Sequence, residues 1–336
     1  MKKSLIALAV LAASGAAMAQ STVTLYGVAD AWIGSQKTGL TGVRQTKLNS
    51  GGYNGSRFGF RGTEDLGGGL SANFVLEQGF TIDDSAVASS GLQFNRQAFV
   101  GLSGGFGTTR FGRQYTAYDE LRGATNNSFD TSFATTGTVW ASNAGRSKVA
   151  DYGSRANNQA YYASPVVGGF SGAIGYGFGE NKTTTTNATD TLSLHVKYAA
   201  GPLLVGVAYQ NEEVSNAVDR SYTLIAGSYD FGVAKLTAGF NRAKQDALGK
   251  DSEYQLGVSV PVSGNAAVAL GYTHAKGKNV DGSTFSKGSG WSLTGYYDMS
   301  KRTRLYAGYN STSAKDGAGV KVDKNSLFAV GMRHSF

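Results

Sequence analysis

The chain has 336 residues, including 48 Gly, 3 Pro and no Cys, with 41% hydrophobic and 16% charged residues and a formal net charge of +8. The missing cysteines exclude a disulfide-stapled fold, 18 Tyr and 17 Phe beside so few charges exclude disorder, and no run of ~18 apolar residues exists to form a membrane-spanning helix. Gly and Tyr enrichment points to an all-β chain.

Residues 1–19 read as an export signal. Lys2 and Lys3 form a basic start, Leu5 to Ala13 a short apolar core, and Ala17, Met18 and Ala19 a small-x-small cleavage site. The mature chain is expected to begin at Gln20 and to form one domain over 20–336. Loss of two lysines leaves a formal charge of +6.

From Gln20 onward the pattern has period 2. Phe170, Gly172, Ile174, Tyr176 and Phe178 share one face and Ser171, Ala173, Gly175 and Gly177 the other. Leu203, Val205, Val207 and Tyr209 repeat the pattern, as do Tyr254, Leu256, Val258 and Val260. Such alternation specifies half-apolar strands. Sixteen are expected, in chain order at 21–34, 53–65, 69–82, 92–104, 107–115, 151–163, 168–180, 189–200, 202–213, 219–230, 232–244, 251–261, 265–277, 288–299, 302–313 and 324–336. An even number lets both ends meet on one side.

Short turns, such as 66–68, 104–107 and 200–202, alternate with longer polar connections at 35–52, 83–91, 180–189, 245–250, 277–287 and 314–323. Pro165, Pro202 and Pro261 lie in or beside short turns, where a missing N–H harms no ladder. The longest connection, 116–150, is long enough to imply a functional loop. One apolar face with aromatics near its ends and one small or polar face fit lipid outside and water inside a closed, 16-stranded antiparallel transmembrane β-barrel. Phe328, Val330, Met332, His334 and Phe336 share the apolar face of the last strand, which places the C-terminal aromatic Phe336 beside the first strand at closure.

Five stretches carry a family resemblance: Val23–Val28 (Val-Thr-Leu-Tyr-Gly-Val), Ser56–Leu70, Asn95–Leu102 (Asn-Arg-Gln-Ala-Phe-Val-Gly-Leu), Arg110–Tyr115 and Gly331–Phe336. Together they resemble the trimeric general diffusion porins of Gram-negative outer membranes, particularly the betaproteobacterial type, over the whole mature chain. The resemblance implies a homotrimer in contact with outer-membrane lipid and lipopolysaccharide, and a third loop folded into the lumen, where 116–150 falls. It implies a passive channel for small hydrophilic solutes and ions, without a cofactor or catalysis. It also implies an eyelet in which wall arginines face acidic loop residues. Arg57, Arg96 and Arg155 match the family's strand arginines, and Arg61, on the face of Arg57, and Arg113 are further basic candidates. Asp119, Glu120 and Asp130 are the acidic ones. Lys197, Lys235 and Arg304 face the pore by alternation. The surplus of basic residues favours anions modestly. Two departures stand out: the Pro-Glu-Phe-Gly turn of enterobacterial porins is absent from the loop, and Val28 stands where enteric members carry an inward lysine, with Asp30 on the same face.

Other readings remain open at this level: a substrate-specific channel for sugars or phosphate-like anions, a barrel enzyme, or an adhesin. His195, His274 and His334 lie on separate strands without ligand spacing for zinc, and neither His274 nor His334 is expected to find a hydroxyl partner on a neighbouring strand. Gly67, Gly68 and Gly69 read as a tight turn, since no helix follows to make a phosphate loop. The dispersed basic residues do not suggest nucleic acid. Small outward residues on the first strand (Gly27, Ala29, Ala31) suggest where subunits meet.

Overall fold

A computed structural model describes residues 22–86, 93–140, 148–216 and 218–336; the expected export signal at 1–19 and its junction with Gln20 lie outside them. The described residues form seventeen antiparallel strands. The first six are β1 (Thr22–Lys37), β2 (Arg44–Ser50), β3 (Arg57–Gly67), β4 (Leu70–Gly79), β5 (Gln97–Gly104) and β6 (Gly107–Tyr115). After the long loop come β7 (Arg155–Ala163), β8 (Phe170–Gly177), β9 (Thr191–Ala200), β10 (Leu203–Ser215), β11 (Val218–Asp230) and β12 (Lys235–Gln245). The wall ends with β13 (Gly249–Ser263), β14 (Ala266–Lys278), β15 (Thr284–Asp298), β16 (Thr303–Asp316) and β17 (Lys321–Ser335). Successive strands pair, except that β2 and β3 both pair with β1, and β1 pairs with β17 from Val28↔Ser335 to Lys37↔Ser326, closing the ring.

The seventeenth strand is a correction. Residues 35–52 read as a loop, but 44–50 pairs with the upper half of β1 and Arg57–Thr63 with its lower half. β2 and β3 thus share one place in the wall, interrupted at 51–56, and the barrel has sixteen positions. Asp30 holds the interruption. Its fully buried carboxylate accepts N–H bonds from Gly52, Tyr53 and Asn54 at 2.7–3.0 Å and the Tyr306 hydroxyl at 2.5 Å. The inward Asp30 therefore carries structure, and its charge is consumed locally.

The wall is inverted relative to a soluble protein. Val205 and Val207 are 41% and 47% exposed on the outside, whereas Ala208 and Gln210 on the inner side are fully buried. The turn end is tight, as expected. Gly67, Gly68 and Gly69 have φ of +83°, +59° and +78°, a left-handed run that only glycine adopts without strain. The loop end differs from the sequence reading. Strands run on past the apolar zone, leaving 246–248, 279–283 and 317–320 as brief turns. Water wets both faces there, so the alternation that marks a strand lower down fades while pairing continues.

The loop after β6 runs to 154, and its described parts, 116–140 and 148–154, are structured. It contains α1 (Ala117–Thr125), a 3-10 turn at Ser128–Asp130 and α2 (Thr136–Val139). The Thr116 hydroxyl caps α1 by accepting the Asp119 N–H at 3.3 Å. Tyr118 and Leu121 are fully buried against the inner wall, in a cluster with Ala208, Tyr222, Leu224 and Ala243. Tyr118 donates to Asn241 Oδ1 at 2.8 Å, and His195 Nδ1 donates to the Ala117 carbonyl at 2.7 Å. Ser128, Phe129 and Asp130 are all left-handed (φ +49°, +59°, +54°), a strain of about 1 kcal/mol or more each for L-residues. The Ser128–Ser292 hydroxyl bond and the Asn127 N–H to Gln255 Oε1 bond hold this segment against the wall. Phe133 lies on Gly308, and the returning strap is tied by Asp251, which accepts from the Lys148 and Val149 N–H groups at 3.1 and 2.8 Å.

Small inward residues thus form the bed on which the loop rests. A Cβ at Gly308 would stand 2.5 Å from the Phe133 ring. Gly308→Leu is expected to cost roughly 1–3 kcal/mol by overpacking and to push the loop off the wall into the lumen. Single-channel conductance should fall while barrel content by circular dichroism stays constant; unchanged conductance would contradict the packing described.

Candidate functional site

The elements that narrow the lumen are the loop, resting on β9–β16, and the inner face of β3–β7. On the second of these, charged side chains converge on one carboxylate. Glu77 of β4 sits in register with Gly59, where no side chain competes for space. Arg96 Nε approaches its Oε1 at 2.7 Å, Arg57 Nε its Oε2 at 3.4 Å, and the Tyr26 hydroxyl donates to Oε2 at 3.1 Å. A second bridge is Tyr115, whose hydroxyl accepts from Arg96 at 2.6 Å and Arg155 at 2.5 Å. The Arg155 guanidinium also stacks on the Tyr115 ring, 4.1 Å from its centre. Arg57, Arg96 and Arg155, from three separate parts of the chain, thus form one cluster with a single carboxylate, and positive charge is in excess. Glu77 and Tyr115 were not singled out from sequence. Alternation with Phe74 and Leu76 could have turned Glu77 inward, but nothing local says that it meets two arginines.

Arg61 is four residues along β3, about 13 Å toward the turn end at strand spacing, with its guanidinium 5.1 Å from the Tyr26 ring centre. Arg113 stands opposite Ala98, beside the strained Gly112; its guanidinium donates to the Asn95 carbonyl and Asn157 Oδ1, both at 2.6 Å, and interacts electrostatically with Arg155. Inward on β6, three positions earlier, stands Arg110. It lies over Phe99 and Tyr161 and pairs with Glu120 at 3.9 Å.

That pairing also relocates Glu120. Its carboxylate accepts the Tyr161 hydroxyl at 2.7 Å and is turned to the wall, away from the cluster of three arginines. Asp119 is the loop carboxylate that interacts electrostatically with Arg155. It accepts the Tyr152 hydroxyl at 2.5 Å. Burial pushes its pKa up to about 6, against the opposing effects of the Tyr152 bond and Arg122. Asp130 accepts from Asn126 Nδ2 at 2.6 Å, and burial raises its pKa too. Arg122 sits between the Trp140 and Tyr152 rings, under the same loop.

Below the loop, Arg304 of β16 stacks on Tyr296 at 3.6 Å and forms a two-pronged pair with Asp298 at 2.6 and 2.7 Å. Lys235 lines a cleft of about 160 Å³ between Asp130 and the wall, and Lys197 lies opposite Gly206 on β10. Phe336 exchanges both backbone bonds with Gly27, at 3.0 and 3.1 Å, and its ring covers that glycine. His334 differs from expectation: Thr303 of the adjacent strand lies 2.9 Å from its Nδ1. No carboxylate bonds this pair among the described residues, so the group that would orient a catalytic base is missing from it.

A lumen narrowed by a folded-in loop and a cluster of wall arginines is accompanied by clear relationships. A family profile described as Gram-negative porin matches residues 5–317. The chain belongs to the Gram-negative porin family. The porin is 39% identical to outer membrane porin protein 32 of Delftia acidovorans, and 30% identical to the major outer membrane protein P.IB of Neisseria meningitidis serogroup B, with all of both chains covered in each case. Among solved structures it is similar to an anion-selective porin from Comamonas acidovorans, with 31% identity, a TM-score of 0.79, and 94% of this chain and 100% of that one covered. Salmonella typhi OmpF shares the fold at 19% identity and a TM-score of 0.66. The porin is an outer-membrane β-barrel and a diffusion channel for small hydrophilic solutes and ions.

Proposed function

We propose that this porin prefers anions, works as a homotrimer, and is selected at the eyelet by Arg57, Arg96 and Arg155 on one side and Asp119 with Asp130 on the other. The observation that carries the reading is the ratio of three guanidinium groups to one carboxylate around Glu77. A ring of uncompensated charge in a narrow, water-filled passage lowers the energy of the opposite ion and raises that of the like one. The anion-selective porin from Comamonas acidovorans, similar over most of the chain, supports the sign. Solutes move down their gradients, so no catalysis is required. Export is directed by residues 1–19, with Gln20 the first mature residue; the mass of the purified protein tests this. The subunit contact is assigned to β1–β6, whose outward Ala29 and Ala31 allow close approach. Zero-current potential across a planar bilayer in a KCl gradient tests the main claim: anion preference is expected, and cation preference would overturn it.

The Asp119 pKa adds a pH signature. The carboxylate is ionised at neutral pH and takes up a proton as pH falls through about 6, removing one negative charge from the eyelet. Anion preference should therefore rise between pH 7 and pH 5. Asp119→Asn should show the low-pH selectivity throughout and lose the step. A wild-type preference flat across that range would refute the role of Asp119.

A further inference from the structure

Asn54–Gly55 is the one Asn-Gly step in the chain, and it lies in segment 51–56, where the wall between β2 and β3 is interrupted. An asparagine in this setting reacts with its own backbone. The nitrogen of the next residue reaches the side-chain carbon when no Cβ obstructs it and the peptide turns freely, and glycine meets both conditions. Both reacting groups are free here. Among the described residues the Asn54 side chain makes no hydrogen bond and the Gly55 N–H has no acceptor. Asp30 holds only the other side of the residue, through the Asn54 N–H at 2.7 Å. Gly55 is exposed and Asn54 half-buried, so water reaches the pair. The asparagines that precede serine, another small residue, are all tied: Asn49 to the Ser50 N–H, Asn127 to Thr273, Asn310 to the Phe133 carbonyl and Asn325 to Thr312.

Position sets the consequence. Ser132 of the folded-in loop donates its hydroxyl to the Gly51 carbonyl at 2.6 Å and its N–H to the Gly52 carbonyl at 3.2 Å, so segment 51–56 borders the eyelet. The Gly55 carbonyl accepts from Arg57 at 3.1 Å, and a Cβ on Gly55 would stand 3.5 Å from the Arg96 guanidinium. Two cations beside the Gly55 peptide favour loss of its N–H proton, which makes the nitrogen a nucleophile, and a carboxylate formed at position 54 arises next to them.

We propose that Asn54–Gly55 is a self-modification site that lowers the positive charge of the eyelet as the protein ages. The Gly55 nitrogen bonds to Asn54 Cγ, the Cγ–Nδ2 bond breaks, and ammonia leaves with the Gly55 proton, closing a five-membered imide. Water then opens the ring at either carbonyl and leaves aspartate or isoaspartate at position 54. One neutral amide becomes one carboxylate, and three guanidinium groups then face two carboxylates in place of one. The proposal deepens the anion-preferring reading and rests on it for its functional effect. One screened charge at the eyelet should lower the anion-to-cation permeability ratio about twofold.

The test ages the full, folded porin in mildly alkaline buffer. It follows the mass and isoaspartate content of tryptic peptide 48–57, and the reversal potential of the same sample in a planar bilayer. The wild-type peptide is expected to become about 1 Da heavier, with fragmentation locating the change at position 54. The permeability ratio should fall in step, about twofold at full conversion. Gly55→Ala should block both changes, since its Cβ obstructs the attack and meets only the flexible end of Arg96. Asn54→Asp should show the aged ratio from the start. A peptide that keeps its mass in aged, folded wild type, while unfolded wild type converts in the same buffer, would overturn the proposal. So would equal conversion of Gly55→Ala, or full conversion with an unchanged ratio. The wild-type time course stands even if a variant does not fold. Fresh wild type without anion preference would refute that reading, and the peptide mass would still decide the modification.

Discussion

Replacing Arg57, Arg96 and Arg155 together by glutamine is expected to abolish the proposed anion preference. A unit charge about 8 Å from a passing ion contributes about 0.5 kcal/mol in water. Screening at physiological salt reduces this to roughly 0.2 kcal/mol. Three such charges act with opposite signs on anion and cation, so the permeability ratio should change by about 1 kcal/mol, or roughly sixfold. Single replacements are expected to be unequal. Arg96 is bonded to both Glu77 and Tyr115, so Arg96→Gln loosens Arg57 and Arg155 as well as removing a charge. The effects of the three should therefore not be additive. Reversal potentials of the singles and the triple measure this; a triple variant with wild-type selectivity would remove the eyelet assignment altogether.

Asp30→Ala is expected to produce the largest loss of stability. The carboxylate is fully buried and receives three backbone N–H groups and one phenol, all of which would be left without their acceptor. An orphaned buried donor costs roughly 1–3 kcal/mol. The damage should reach beyond the break in the wall at 51–56. Tyr53, positioned by this carboxylate, accepts from Arg304 at 2.5 Å and packs on Tyr306 and Tyr296. Freed, segment 51–56 would enter the lumen, and channel recordings should become noisy as well as the barrel less heat-resistant. Asp30→Asn keeps one acceptor oxygen and should fall between the two. Heat-induced loss of the folded form, followed by gel mobility, decides it: a melting point for the alanine variant equal to wild type would mean that the four bonds contribute nothing net.

Much of this architecture was legible in the sequence because the membrane imposes one rule on every strand. Ile174, Val205 and Leu256 must face lipid, and Ala173, Gly206 and Gln255 must not, so period 2 locates the strands and their inner faces together. The rule fails where the membrane ends. Arg44–Ser50 is a paired strand in water on both sides, with no apolar face to announce it. The altered place of Glu120 follows from the inward Arg110 of β6, which draws it to the wall. Glu77 and Tyr115 were beyond reach for a different reason: periodicity states which way a residue faces, not which inward residues meet across strands. That depends on register and on where the third loop leaves the wall.

The bond pair between Gly27 and Phe336 has a consequence for assembly. It joins opposite ends of the sequence, so the ring cannot close while the last strand is still arriving. Until then the sheet has two bare edges, β1 and whichever strand is latest, each offering unpaired N–H and C=O groups to any other chain. Contacts of such long sequence separation form late. The chain therefore faces its greatest risk of aggregation before it has a pore at all, and the Gly27–Phe336 pair is the clasp that ends this exposure.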